Sequence, residues 1–482
     1  MRDALGRPLI LALLAVMGCE LGHLYLGVPA LRDAAHLAMG AVVLTAMPRF
    51  GLREGYLVCL SLLLVGLLIR LHPEPWAAAR RAMDQAVFLM AFILLLSLVQ
   101  EAAMTSRSVE QVGTYLSRQP GGRRFTGLFG GTMLMGVVFN LGTVTLLAPL
   151  IRRSAEAAPN DPLTPIRERR QLNAVLRGFA WCVVWSPTAV APLALLGLID
   201  GIDRPRWIAI GFCLSCLMLV IGWAEDRIAW RRYTAGAMGL PPVERAPLPL
   251  GAVLRFLSVC VVFMGLTGLI ILATGLGIPA GLMGAAPVLL LGWLWVQSGG
   301  WPFGLRCING AASAPKDAPY AALRERLRGI AGQGLPASAP AAVTLAAAGF
   351  VGIAGAELIP ARAWAEALGL NSWPAWVFMT TVTLAVVALS QFALSPIMMA
   401  VFFGAILGSL PSLPAEPTLT ALAIAAGWSV STTISPFASG VILMSRITGH
   451  PGARLTYGWN PLFTALTMAV LTLVYWALTG GA

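Results

Sequence analysis

The chain is constrained above all by the recurrence of apolar runs long enough to cross a bilayer. Inside hydrocarbon every backbone polar group must be satisfied within its own segment, so runs of about 20 apolar residues predict transmembrane α-helices. With 58% hydrophobic and 11% charged residues, we expect an all-α polytopic membrane protein. About eleven such runs are present, at 8–28, 34–48, 55–72, 84–104, 172–199, 206–224, 249–275, 278–298, 340–358, 418–445 and 461–481.

Two further apolar segments, 126–151 and 372–411, are interrupted near their middles by polar residues, glycine or proline. A polar reversal at mid-depth predicts a re-entrant hairpin of two half-helices. The N-terminus of the returning half would offer unpaired N–H groups and partial positive charge to an anion. Carbonyl groups ending the entering half could instead hold a cation. The candidate residues are Asn140, Gly142 and Thr143 in the first segment, and Ser395, as a helix cap, with Pro396 in the second.

Two of the spanning runs also break, at Trp185–Pro192 and at Trp428–Pro436. Interrupted apolar segments at matching places in two halves of a chain indicate a secondary transporter's binding site. The alternative is that the hydroxyls bond back to their own helix and the prolines only kink it. The residues predicted to bind substrate here are Ser186, Pro187, Thr188, Ser431, Thr432, Thr433 and Ser435.

The distribution of basic residues predicts orientation, and it explains the net charge of +12 without a nucleic-acid partner. Most Lys and Arg fall on one side if the N-terminus is cytoplasmic and the C-terminus periplasmic, as in a bacterial inner membrane. The first hairpin then enters from the cytoplasm and the second from outside, which makes the two repeats inverted. The predicted domains are N-terminal scaffold helices (1–83), a first repeat (84–224, with hairpin 126–151 and broken helix 172–199), a cytoplasmic linker (225–248) and a second repeat (249–481, with scaffold helices 249–358, hairpin 372–411, broken helix 418–445 and last helix 461–481), with a solvated connection at 299–339.

The stretch from Asn140 to Pro149 resembles the hairpin motif of the ion transporter superfamily, and Trp428 to Arg446 is similar to that family's unwound helix. The superfamily includes divalent anion/sodium symporters, arsenite exporters and sodium/proton antiporters. The resemblance implies eleven helices, two opposed hairpins and a substrate role for Asn140. Phe139 and Leu141 depart from the motif, and Ser395-Pro396 replaces its second Asn-Thr pair, so the coupling ion, Na⁺ or H⁺, stays open.

These features predict an elevator-type secondary transporter of a small anion, most simply an organic carboxylate. Such a protein needs the bilayer and no cofactor, and its scaffold helices could carry a homodimer contact. The sole lysine, Lys316, lies outside any phosphate-loop motif, which argues against ATP as the energy source. One alternative is a cation/proton antiporter or metalloid exporter that depends on Glu20 or Glu357. A remote one is a membrane-embedded enzyme, for which no nucleophile–base pair can be assembled.

Overall fold

The computed structural model describes residues 6–120, 122–157, 160–233, 247–297 and 318–480, and within them it contains helices and turns but no strand. The chain forms two compact units. Unit 1 comprises Met1–Val109 and Gly251–Ala354, and unit 2 comprises Glu110–Leu250 and Gly355–Ala482. The middle of the predicted linker, the start of the predicted connection and Lys316 lie outside the described residues.

The helices are, in chain order, α1 Gly6–Leu26, α2 Pro29–Ala46, α3 Leu52–Leu71, α4 Pro75–Met104, α5 Arg107–Ser117, α6 Arg124–Phe139, α7 Gly142–Glu156, α8 Thr164–Trp185, α9 Val190–Leu196, α10 Arg204–Ala229, α11 Leu250–Thr274, α12 Ile278–Gln297, α13 Ala318–Gly329, α14 Leu335–Glu357, α15 Ala361–Ala367, α16 Ala375–Leu389, α17 Pro396–Gly408, α18 Pro417–Ile434, α19 Ser439–Thr448 and α20 Pro461–Leu478. Several begin with proline in the first turn, where its missing N–H removes no helical hydrogen bond.

Within the described residues, twelve helical segments are long and apolar enough to cross a membrane, which confirms the predicted all-helical, multi-pass membrane class. One of them, Ala375–Phe392, is the first arm of the predicted second hairpin. The other eleven correspond one to one with the predicted spans. The segments Arg124–Phe139 and Pro396–Gly408 are apolar but shorter, as half-helices of a hairpin would be.

Unit 1 holds α1 to α4 and most of α11 to α14. Within it α4 packs against α1, α2, α3 and α12, and its central residues from Ala86 to Val99 are largely buried. The predicted solvated connection 299–339 is helical from Ala318 onward, and its residues from 320 to 334 are exposed or half-buried. Leu335 and Ala339 are buried there, so apolar packing extends this helix toward its N-terminus.

Unit 2 is built around α8 and α18, which pack against each other. Each is buried on all sides over much of its length, and α8 buries Gln171, Asn173 and Arg177 together with its apolar residues. The helices α6, α7 and α10 pack on α8, while α16, α17 and α20 pack on α18. Glycines permit two of these approaches, since a side chain at Gly178 would meet the Phe129 backbone and one at Gly427 would meet Val386.

The two predicted hairpin segments form the helix pairs α6–α7 and α16–α17, and the two predicted broken helices form α8–α9 and α18–α19. That the two hairpins are re-entrant stays a prediction. All four pairs lie in unit 2. The boundaries of the two predicted repeats, and the linker between them, stay predictions.

Candidate functional site

The first hairpin reverses at Asn140, where the sequence placed the reversal. Asn140 has φ 48° and ψ −122°, near the values for the first central residue of a type II′ turn, a place that glycine usually fills. Its backbone is held on both sides, because its N–H bonds to Gly136 O at 2.9 Å and its carbonyl accepts the Thr143 hydroxyl at 2.7 Å. The side-chain amide makes no hydrogen bond with any residue that the structure describes. The chain therefore holds a strained residue whose polar group is left free.

The second hairpin reverses at Ala393, which has φ 61°. The sequences Phe139-Asn140-Leu141 and Phe392-Ala393-Leu394 align, so Ala393 occupies the place of Asn140. Ser395-Pro396, expected in place of the motif's second Asn-Thr pair, lies two residues after this turn. Alanine gives no turn signal, whereas the Ser-Pro pair does.

Ser395 is the residue before α17, and Pro396 stands in its first turn, as expected. The predicted cap is wrong, however, because the Ser395 hydroxyl makes no hydrogen bond in the described part of the chain. The N–H groups of Ile397 and Met398 consequently stay open at the start of α17.

The two helix breaks have the same backbone hydrogen bonds at Ser186-Pro187 and Ser435-Pro436. In each, the serine N–H closes the long helix, at 3.0 Å for Ser186 and 2.8 Å for Ser435. The serine carbonyl then accepts from the alanine three residues later, at 3.1 Å and 3.2 Å respectively. Trp428, which the sequence analysis paired with Trp185, lies instead inside α18, because no proline interrupts the helix until Pro436.

Hydroxyl groups tie each break to the hairpin of its own repeat. The Thr188 hydroxyl donates to Val137 O in the first hairpin and lies 2.9 Å from the Ser186 hydroxyl. The Ser435 hydroxyl donates to Ser390 O in the second hairpin at 2.7 Å. The structure thus brings three of the predicted hydroxyl residues to the two hairpin tips.

The other three hydroxyls behave differently. Ser431 reaches the second hairpin weakly, at 3.4 Å from Val386 O. Thr432 and Thr433 donate to carbonyls of α18 itself at 3.0 Å and 2.8 Å, as the alternative interpretation predicted. The hydroxyls of Thr432 and Thr433 therefore hold their own helix.

Open N–H groups lie at the starts of the four helices that follow the turns and breaks, as they do at the start of any α-helix. Among the described residues, the backbone N–H groups of Leu141 and Gly142 at the start of α7 have no hydrogen-bond acceptor. The same holds for the N–H groups of Ile397 and Met398 at the start of α17. The starts of α9 and α19 show the same pattern. None of the segments 137–145, 186–191, 390–399 and 435–441 contains a charged side chain. The partial positive charges of the helix N-termini therefore dominate the electrostatic potential at these segments, and they favour binding of an anion.

The returning arm of each hairpin packs against the short helix of the other repeat. α7 lies against α19, and α17 lies against α9, where Gly404 leaves room for Leu195. The first hairpin thus contacts the helix that follows the second break, and the second hairpin contacts the helix that follows the first break. Each set of open N–H groups therefore begins a helix that packs against an element of the other predicted repeat.

Sequence reasoning missed two residues near the second hairpin tip. The Gln391 amide donates to Val387 O at 2.8 Å, and its oxygen accepts the Tyr457 hydroxyl at 2.9 Å. Both ends of the Gln391 side-chain amide are therefore hydrogen-bonded, whereas the Asn140 amide is not. No sequence signal links Gln391 to Tyr457, 66 residues away.

Sequence reasoning also missed the buried Arg177, because basic residues served there only as a guide to membrane orientation. Arg177 is 1% exposed, and its guanidinium donates to Glu225 at 2.6 Å and to the Asn460 side-chain oxygen at 2.8 Å. The guanidinium carbon also lies 4.1 Å from the Phe463 ring centroid. These contacts fasten α8 to α10 and α20.

The described residues include no group of three or more His, Cys, Asp or Glu side chains placed to hold a metal ion. A sodium site can be built from carbonyls and hydroxyls instead. The cation site predicted near Asn140 and Ser395 stays a prediction.

Known proteins offer a structural likeness to this chain without a family match. No protein-family model and no curated protein matches the chain. Among solved structures, the chain is similar to the YdaH transporter of Alcanivorax borkumensis, whose crystal structure is described as having an unusual topology. The two share 15% identity over 89% of this chain and 97% of that one, with a TM-score of 0.45. The function proposed below therefore rests on the geometry of unit 2.

Proposed function

We propose that this protein is a secondary active transporter of a small anion, with an organic carboxylate as its substrate class. The observation that carries the proposal is Asn140, a non-glycine residue held at positive φ with its amide free beside the open N–H groups of α7. Strained conformations persist in proteins where the surrounding structure holds them, and they are concentrated at functional sites. A free amide and open N–H groups together suit a carboxylate.

The mirrored breaks support a site shared by two repeats. Thr188 and Ser435 each anchor a helix break to a hairpin tip, and the short helix after each break begins with open N–H groups. We propose that the hairpins are re-entrant from opposite sides of a bacterial inner membrane, with a cytoplasmic N-terminus and a periplasmic C-terminus. The chain would then be a divergent member of the ion transporter superfamily.

Both hairpins and both broken helices belong to unit 2, which supports its role as the moving body of an elevator mechanism. Unit 1 would be the scaffold and could carry a homodimer contact. Na⁺ or H⁺ would supply the driving force.

Uptake into proteoliposomes tests the proposal. Wild-type protein and Asn140→Ala are compared with a panel of radiolabelled mono- and dicarboxylates under imposed Na⁺ and H⁺ gradients. We expect saturable, gradient-driven uptake by wild type and at least a tenfold loss of apparent affinity for Asn140→Ala, about the value of one charge-assisted hydrogen bond. Uptake that is equal in the two proteins would remove Asn140 from the site, and none in either would refute the substrate class.

One observation favours the alternative of a cation/proton antiporter or metalloid exporter. Glu20 is 5% exposed within the apolar helix α1 and makes no hydrogen bond among the described residues. Nearby in unit 1, Asp84 pairs with Arg32 and His36, both at 2.9 Å. A buried carboxyl without a partner inside a membrane helix marks a candidate proton or cation path.

Glu20→Gln separates the two functions. For an anion transporter with its site in unit 2, carboxylate affinity stays unchanged in this variant. For an antiporter, cation-driven proton flux, measured with a pH-sensitive dye inside the vesicles, is lost in Glu20→Gln while carboxylates have no effect.

A further inference from the structure

Unit 2 carries two arginines, Arg169 and Arg454, that form no ion pair with any carboxylate in the described part of the chain. The guanidinium carbon of Arg169 lies 5.1 Å from the Trp230 ring centroid and 5.7 Å from that of Trp459. Arg454 lies 5.9 Å from the same Trp459 ring. Among the described residues neither arginine has an ion-pair partner within 4.0 Å, and the buried Nε of Arg169 has no hydrogen-bond partner.

Neighbouring arginines differ in this respect. Arg170 makes two hydrogen bonds to Asp226, at 2.9 Å and 2.7 Å, and Arg177 holds Glu225 at 2.6 Å. The carboxylates within reach are therefore already engaged. Arg169 is attracted by Glu225, which already pairs with Arg177, and it is repelled by both Arg177 and Arg454.

We propose that Arg169 and Arg454 bind a phosphate group, and that the Trp230 and Trp459 rings form the wall of this site. A phosphate has enough acceptor oxygens to bond two guanidinium groups at once, and it would neutralise their mutual repulsion. It would also give the buried Arg169 Nε an acceptor. A lone cation–π contact leaves that donor unsatisfied.

The surroundings suit a phosphate on an anionic phospholipid. Trp230 directly follows the apolar helix α10, and its neighbour Ile228 is 72% exposed, as a lipid-facing residue would be. Tryptophan collects at membrane interfaces, where arginine clusters bind anionic headgroups. Free inorganic phosphate offers the same chemistry without the acyl chains, so the experiment must distinguish the two sources.

Thermal unfolding of the delipidated full-length protein in detergent provides the test. The melting temperature is titrated separately with phosphatidylglycerol, phosphatidylcholine and sodium phosphate. The variants are Arg169→Gln and Arg454→Gln. Arg227→Gln is the matched control, because Arg227 also lies on a tryptophan, 5.3 Å from the Trp223 centroid, but outside the pair.

We expect phosphatidylglycerol to raise the melting temperature saturably and phosphatidylcholine to raise it far less. The apparent affinity should fall about tenfold or more in both test variants, as for loss of a hydrogen bond to a charged group, and stay unchanged in Arg227→Gln. An equal, variant-sensitive response to sodium phosphate alone would support the site and assign it to a soluble phosphate. Equal responses to both lipids, or retention of the response in Arg454→Gln, would overturn the proposal. Arg454 is exposed, so its replacement keeps the test valid even if Arg169→Gln does not fold.

Discussion

Replacing Asn140 with glycine should stabilise the protein while impairing transport, and this opposition follows from the geometry of the first hairpin tip. Glycine adopts φ 48°, ψ −122° without the steric clash that any Cβ introduces. The replacement breaks no hydrogen bond of the described structure, because the Asn140 amide has none. A residue that served only the fold would be improved by the change.

The magnitudes can be estimated separately. Backbone strain at such a conformation costs about 1–3 kcal/mol, whereas glycine adds about 0.5–1 kcal/mol of entropy loss on folding. The net gain in the free energy of unfolding is about 1 kcal/mol. Loss of a hydrogen bond from the amide to a bound carboxylate removes about 1.5–3 kcal/mol, which weakens substrate affinity about 10- to 100-fold.

The assay pairs thermal unfolding in detergent with uptake kinetics in proteoliposomes for Asn140→Gly. Ala393→Gly is the matched control, because Ala393 has φ 61° at the equivalent turn and offers no polar group. We expect both variants to be at least as stable as wild type, and only Asn140→Gly to lose affinity. Affinity within twofold of wild type in Asn140→Gly, or equal losses in both variants, would refute an amide role.

Three further predictions concern contacts of unit 2. Ser435→Ala should lower the free energy of unfolding by about 1–3 kcal/mol, because the buried carbonyl of Ser390 loses its donor. Thr432→Ala should change the free energy of unfolding by less than about 1 kcal/mol, because this hydroxyl bonds only its own helix. Chemical denaturation of the two variants and wild type measures the difference. Arg177→Met should lower the free energy of unfolding by about 3–5 kcal/mol, because it leaves Glu225 unpaired. The double variant with Glu225→Leu should recover most of that loss. No recovery in the double variant would contradict an ion-pair origin. Asn140→Asp should weaken carboxylate uptake more than glycine does, through like-charge repulsion, whereas tighter substrate binding would identify a cation instead.

The first hairpin tip could be predicted because asparagine and glycine close together in an apolar run admit few structures besides a turn. The second tip could not, because its turn residue is Ala393, for which positive φ has no sequence signature. The second break was placed too early, since sequence cannot tell hydroxyls that bond their own helix, as Thr432 does, from hydroxyls that bond a neighbour. The Ser-Pro pairs at Ser186 and Ser435 were the better guide, because proline removes the N–H on which a continuous helix depends.

The matching of Ser186-Pro187 with Ser435-Pro436 bears on the proposal that the chain contains two inverted repeats. Ser186 and Ser435 are equivalent, and the same offset of 249 residues relates Ala180 to Ser429. The Ser429 hydroxyl donates to Ala180 O at 2.5 Å, so two positions that would be equivalent in the proposed repeats are in contact. When two repeats are related by a twofold axis, a residue can contact its own equivalent only near that axis. This contact lies about two turns before each break, on the two central helices of unit 2. It therefore supports a single site around the axis, to which both hairpins contribute, over two separate sites.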